Sequence, residues 1–310
     1  MAIFATMQRP VRAHAALILM VIIWGVNFSI SKMALAHVGP LAFNALRFPM
    51  ASLLLLAVMK RRGAIPLPPM SDVPRVVAVA LLGNVLYQMF FIFGLNHTSA
   101  GNAALLLAGT PILTALLSAS LGHEQVRART WLGVICTFAG IVLIVAGGAT
   151  GEGGSAHSVE GDLLMLGASI TWSIYTVGAR PLVQRHGSVN ATAWTLWAGT
   201  LGLLICGAPA LVRIDLRTLG AGTWAAIAYA GLLSIGLSYM IWYYGVSKLG
   251  NTRTSSYSNA TPVIALLAAW LTLGEVPRLV QAIGAAIIIG GVTIAQSGSP
   301  VQQADVSPEV

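Results

Sequence analysis

The sequence predicts an all-α polytopic membrane protein: ten transmembrane helices in two inverted five-helix repeats, with both termini cytoplasmic. Three observations lead there. Only 8% of the 310 residues are charged and 56% are hydrophobic, whereas a soluble domain carries about 25% charged residues to cover its surface. Apolar runs of about 20 residues, each enough to cross a bilayer core as a helix, recur along the whole chain. The second half repeats the first at a nearly constant offset.

The runs fall at roughly 13–36, 41–59, 73–95, 100–122, 129–148, 160–179, 189–212, 220–246, 252–274 and 277–297. Span 1 holds "IIWGVNFSISK" at 22–32, where Trp24, Asn27 and Ser31 share one helical face. Arg9 and Arg12 precede this run, and "ALA" at 34–36 resembles a cleavage site. The run is too long for a signal core, so it is expected to stay as a helix. Span 2 carries Arg47, and span 3 a face of Asn84, Gln88 and Phe91. Span 4 contains Asn102 and Pro111, and span 9 contains Ser255, Ser256, Ser258, Asn259 and Pro262. Span 6 adds Trp172 and Tyr175, and span 8 adds Ser238, Tyr239, Trp242 and Tyr243. Spans 5 and 10 carry glycines seven residues apart, Gly133, Gly140 and Gly147 against Gly284, Gly291 and Gly298. Such stripes let helices approach closely in lipid. The chain thus divides into a first unit at 13–148, a Gly-rich connection at 149–159, a second unit at 160–297 and a polar tail at 298–310, expected to be disordered.

Basic residues orient the helices. Of the 17 Lys and Arg, twelve fall on the side of the termini, three on the other, and Lys32 and Arg47 within spans. The termini are therefore expected in the cytoplasm. The net charge of +8 reads as a topology signal, which leaves no case for nucleic-acid binding. Cys136 and Cys206 lie in spans without metal-ligand spacing and are expected to be small buried apolar residues.

The repeat is the most informative feature. "TWSIYTVGAR" at 171–180 matches "IWGVNFSISK" at 23–32, with Trp172 on Trp24 and Arg180 on Lys32. Further along, Met89 and Gly94 fall on Met240 and Gly245, Thr110-Pro111 on Thr261-Pro262, and Glu124 on Glu275. A unit of five crossings ends opposite its start, so the second copy must be inverted. Inverted repeats characterise secondary transporters, because two near-equivalent halves can exchange conformations.

The "RF" at 47–48, the duplicated "TP" and the "LGHE" and "LGE" before spans 5 and 10 resemble the drug/metabolite transporter superfamily. More closely, the chain resembles its ten-helix EamA-type branch, over residues 13–297. That resemblance implies a bacterial inner-membrane exporter of amino acids or other metabolites. It also implies a central cavity lined by spans 1, 3, 4, 6, 8 and 9, with spans 2, 5, 7 and 10 outside. The chain departs from a strict duplication at Arg47, which has Thr195 at the matching position.

Polar stripes cannot face lipid, where an unsatisfied group costs several kcal/mol. They serve as interhelical contacts, worth about 0.6 kcal/mol each, or they line a shared cavity. Six helices presenting aromatic and amide groups favour the cavity. Pro111 and Pro262 free the carbonyls of Leu107 and Ser258, for packing or for substrate. No Asp or Glu falls near mid-membrane, which argues against a proton relay or a bare-cation site. Lys32 is expected to snorkel and Arg47 to cap carbonyls. The expected substrate is a zwitterionic or neutral metabolite with an apolar side chain, such as an amino acid. Sugars, nucleotide sugars and quaternary cations are the alternatives. Glu124 and Glu275 are expected to anchor helix ends. The sequence holds no nucleophile–base or metal-ligand pattern for an intramembrane enzyme, and no cofactor is expected. The expected partners are the substrate and the lipid bilayer, with a monomer sufficient.

Overall fold

A computed structural model describes residues 2–61, 63, 67–121, 128–149, 159–249, 254 and 257–297. Glu124, the Gly-rich connection at 150–158, Ser255, Ser256 and the tail at 298–310 lie outside them. The described residues form helices and their connections: α1 (Ala2–Leu35), α2 (Pro40–Arg61), α3 (Val73–His97), α4 (Ala100–Leu107), α5 (Thr110–Ser120), α6 (Ala128–Ala149), α7 (Val159–Arg213), α8 (Ala221–Gly245), α9 (Thr261–Leu273) and α10 (Leu279–Ser297). Five stretches among them are long and apolar enough to cross a membrane: Val11–Leu35, α2, α3, α7 and α8.

Helix α7 is a hairpin. Gly187, at φ +77°, interrupts its helical backbone, in a region that glycine enters without steric cost. The Tyr175 hydroxyl lies 3.5 Å from the Thr195 hydroxyl, whereas twenty residues of straight helix would separate them by about 30 Å. The legs 159–186 and 188–213 therefore run side by side.

Two helices change pitch at related places. Leu81–Leu86 within α3 and Tyr229–Leu237 within α8 are π-helical, a rare conformation that frees backbone groups from the regular ladder. Each π segment packs on the other half of the chain. A Cβ at Gly199 of α7 would lie 2.2 Å from the Asn84 Cβ, and one at Gly231 would lie 2.5 Å from the Arg47 carbonyl oxygen. Close crossing is thus built from absent side chains, α3 on the second leg of α7 and α8 on α2.

Span 4 is two helices. Helix α4 ends at Leu107 and α5 begins at Thr110, placing Pro111 in a first turn, where its missing N–H costs nothing. Pro262 likewise stands at the start of α9. The Leu107 carbonyl, left without its i+4 donor, accepts from the Thr110 hydroxyl at 2.6 Å.

Polarity is turned inward. Asn27, Ser29, Ser31, Asn44, Arg47, Asn84 and Gln88 are buried, while Leu53, Leu201, Ile205 and Val142 are exposed. The expectation that both cysteines are buried fails: Cys206 is exposed and Cys136 half-buried. An apolar residue in a spanning helix faces lipid as readily as protein, so its apolarity does not fix its burial.

One end of the bundle is tied by charge. Glu275 accepts the N–H groups of Ala100 and Gly101 at 3.1 and 3.2 Å, capping α4. Lys32 donates to the Thr98 carbonyl and, at 3.3 Å, to the Leu95 carbonyl, where α3 ends. It ties helices together rather than snorkelling, because carbonyls left over at a helix end lie within its reach.

Helices α6 and α10 pack through glycine. A Cβ at Gly140 would lie 2.9 Å from the Gly284 carbonyl oxygen, and one at Gly291 would lie 2.7 Å from that of Gly133. The neighbouring Gly290 faces open space. Gly291→Ala should therefore destabilise the protein by about 1–3 kcal/mol through overpacking, while Gly290→Ala leaves it unchanged. Thermal unfolding of the two variants in detergent checks this.

Candidate substrate site

A buried polar clamp holds Arg47. Asn44 and Arg47 lie three residues apart on α2, hence on one face, which packs on α3. The Arg47 Nε donates to Asn44 Oδ1 at 3.0 Å and Nη2 donates to Gln88 Oε1 at 2.7 Å. Asn44 Nδ2 in turn donates to the Gln88 carbonyl at 3.3 Å. The guanidinium lies 4.7, 5.5 and 5.8 Å from the ring centroids of Phe43, Phe48 and Phe91, close enough for cation–π attraction. Arg47 is only 2% exposed. The expectation that it caps carbonyls is therefore corrected: it bonds side-chain amide oxygens, because α2 turns it inward onto α3.

Aromatic rings run on from this clamp. Phe91 contacts Phe28 at 5.8 Å and Tyr87 at 5.9 Å, Tyr87 contacts Trp172 at 4.8 Å, and Trp172 contacts Tyr175 at 5.1 Å. The string joins α1, α3 and the first leg of α7. Tyr175 fits because position 83 lacks a side chain: a Cβ at Gly83 would lie 2.0 Å from its ring.

The other expected site residues divide. Gln88, Phe91, Trp172 and Tyr175 belong to the clamp and string. Asn27 accepts from Ser31 at 3.3 Å within α1. Asn84 donates to the Thr195 carbonyl at 3.0 Å. Trp24 turns to α8, its indole N–H donating to the Ser234 carbonyl of the π segment at 2.9 Å and its ring lying 5.9 Å from Trp242. Ser238 bonds the Leu233 carbonyl of that segment at 3.0 Å. Tyr243 bonds Thr192, and Tyr239 packs against the apolar cluster that includes Phe48 and Leu196. Ser258 and Asn259 are half-buried ahead of α9. Asn102 lies elsewhere, accepting from Gln281 of α10 at 2.5 Å.

Arg47, Asn44 and Tyr87 are central residues that the expected site omitted. The signal was present: Phe43, Asn44, Arg47 and Phe48 cluster in one apolar span. A further set was also omitted. Thr110 Oγ1 lies 3.2 Å from Ser169 Oγ, and Thr114 Oγ1 lies 3.1 Å from Ser173 Oγ. Ser169 and Ser173 also donate to the carbonyls of Leu106 and Thr110 at 3.3 Å. These hydroxyls hold the broken span 4 against α7. Among the described residues no cluster of His, Cys, Asp or Glu could hold a metal ion. A depression of about 350 Å³ is lined by Gly39, Leu41, Ala42, Pro209, Ala210, Arg213 and Ile214 and by none of the groups that bond Arg47.

Two comparisons decide the family. The profile of the EamA-like transporter family matches residues 11–146 and again 159–296. The chain belongs to the EamA-like transporter family. It is 30% identical to the uncharacterized transporter YdfC of Bacillus subtilis, over 88% of this chain and 87% of that one. It is 28% identical to a probable terminal-alkyne amino-acid exporter of Streptantibioticus cattleyicolor, over 91% and 93%. A crystal structure with 23% identity shares the fold at a TM-score of 0.64, over 92% of this chain and 98% of the other.

In this transporter a further polar contact joins the halves at the connections. Asp72, ahead of α3, receives His186 Nε2 at 2.7 Å and Arg185 Nη1 at 3.1 Å, and the His186 ring meets Trp194 edge-on at 5.1 Å. The His186 hydrogen bond, aided by the Arg185 charge, holds the Asp72 carboxyl below its ordinary value of 3.8. A lowered folded value means that the contact stabilises fully above the unfolded value and is lost as pH falls through the folded one. The thermal midpoint of the wild type should therefore drop as pH falls below about 4. In Asp72→Asn that acid limb should be reduced. Unfolding scans across pH compare the two.

Proposed function

We propose that this transporter is a ten-crossing bacterial inner-membrane exporter of amino acids and related small metabolites. Its two five-helix halves are inverted, both termini are cytoplasmic, and alternating access exposes a central site to either side. The observation that carries the reading is the string of Phe28, Phe91, Tyr87, Trp172 and Tyr175 beside the Arg47 clamp. It sets apolar faces next to hydrogen-bonding amides, which suits a small polar molecule with an apolar side chain. The double family match supports two equivalent halves. The amino-acid exporter among the relatives supports the substrate class.

The matched π segments supply the moving parts in this reading. A π segment can revert to regular helix by shifting one residue, which rotates whatever follows it. In α3 that is Gln88 and Phe91, and in α8 it is Tyr239 and Trp242. With no carboxylate among the site residues, the substrate's own gradient drives the exchange.

Reconstituted protein should show saturable flux of labelled amino acids, indifferent to a pH gradient. Trp172→Ala should lower flux about tenfold, the order expected for losing an aromatic contact. Flux of a labelled sugar or quaternary cation in place of amino acids would overturn the substrate class.

A further inference from the structure

Arg47 is a buried cation with no acidic partner among the described residues. The described Asp and Glu residues, Asp72, Glu160, Asp162, Asp215 and Glu275, lie at helix ends or in connections. Around the guanidinium stand amides, phenylalanine rings and, within electrostatic reach, Tyr87 and Tyr239. Holding such a charge inside a membrane protein is expensive unless something pairs with it. The α2–α3 crossing itself needs no charge, since neutral amides would bridge the helices at lower cost.

The clamp leaves one edge of the guanidinium unused. Arginine offers five N–H donors, and Asn44 and Gln88 accept from Nε and Nη2. Among the described residues Nη1 has no hydrogen-bond partner, nor is it one of the buried atoms sealed without one. The same holds for Gln88 Nε2. Its direction is set: the guanidinium only donates, so Gln88 must turn its oxygen toward Arg47 and its NH₂ away. Two adjacent groups thus keep N–H bonds with no acceptor among the described residues. Phe43, Phe48 and Phe91 hold the guanidinium in place, so little freedom is lost on binding.

We propose that Arg47 is the anchor for a substrate carboxylate, whose oxygens take the free Nη1 edge and the Gln88 Nε2 amide. The substrate's apolar side chain then lies along Phe91, Tyr87 and Trp172. This rests on the reading of the same site as the transport site, and deepens it. The recognised group is the carboxylate and not the ammonium group, for which the site residues offer no acid. Des-amino carboxylates are therefore ligands, and amines without a carboxylate are not. The anchor is not duplicated, because Thr195 stands where the second half would repeat Arg47. The substrate is held mainly by the first half.

A matched trio tests this on the full-length protein in detergent, with tryptophan fluorescence as the binding signal: L-phenylalanine, 3-phenylpropionate and phenethylamine. The first two should bind within about tenfold of each other, and phenethylamine about 10- to 100-fold more weakly, as for one lost charge-assisted contact. Gln88→Glu should place a carboxylate on Arg47 from within, keep or raise the thermal midpoint, and abolish binding of both carboxylates. A purely structural Arg47 would leave binding intact in that variant. Arg47→Lys should weaken the carboxylates about tenfold or more, since an ammonium cannot reproduce the planar fork. Equal binding of phenethylamine and 3-phenylpropionate, retained carboxylate binding in Gln88→Glu, or binding of none of the trio would overturn the anchor. Carboxylate binding without flux in proteoliposomes would leave the anchor standing and sink the transport reading. Amino-acid flux that 3-phenylpropionate fails to inhibit would do the reverse.

Discussion

Hydrocarbon accepts no hydrogen bonds, and the rest of this structure follows from that. An unsatisfied backbone or side-chain group costs several kcal/mol at membrane depth, so each departure from regular helix has to be answered by a neighbour. Where α4 gives way to α5, the Thr110 hydroxyl takes the Leu107 carbonyl and Ser169 takes that of Leu106. Where α8 widens to a π segment, the Trp24 indole takes the Ser234 carbonyl and Ser238 takes that of Leu233. The irregular backbone and its polar partners arise together. Neither would persist alone in a bilayer.

The same constraint explains how the two halves are joined. A polar side chain on a spanning helix finds its partner on another helix, and here that partner often belongs to the other repeat. Asn84 bonds Thr195, Trp24 bonds Ser234, Tyr229 bonds Ile23 and Ser52 bonds Thr200. Crossing helices must come close for such short side chains to meet, which is why glycines sit at Gly83, Gly199 and Gly231. Symmetry of the backbone does not extend to the site. Arg47 and Gln88 face each other in the first half, and their counterparts at the repeat offsets are Thr195 and Tyr239. Duplication thus supplies two similar halves, and divergence at these positions places the Arg47–Gln88 contact in the first of them.

Charge is spent in few places. Asp72 with Arg185 and His186 ties the connection before α3 to the turn of α7. Glu275 caps α4, and Lys32 ties α1 to the carbonyls at the end of α3. These contacts lie at helix ends, where water and exposed backbone reduce the cost of a charge. Arg47 is the exception within a span, paired with amide oxygens and ring faces in place of an acid.

By itself the sequence determined the helical membrane class, the duplication and the inward faces of the helices. Composition, span length and the 3.6-residue period contain those directly: Asn27, Asn84 and Gln88 stand out because hydrocarbon would not tolerate them. It did not determine which neighbour each face meets. Asn102 turns to Gln281 of α10, Arg47 to Gln88 rather than to carbonyls, and Cys206 to the surface. A period names the face of a helix but not its partner, and in a bilayer the lipid-facing and protein-facing sides are both apolar. The π segments were hidden for a related reason. A one-residue widening changes no local propensity, and the donor that takes a carbonyl of the α8 segment is a tryptophan more than two hundred residues away. Only the packed bundle brings that tryptophan to it.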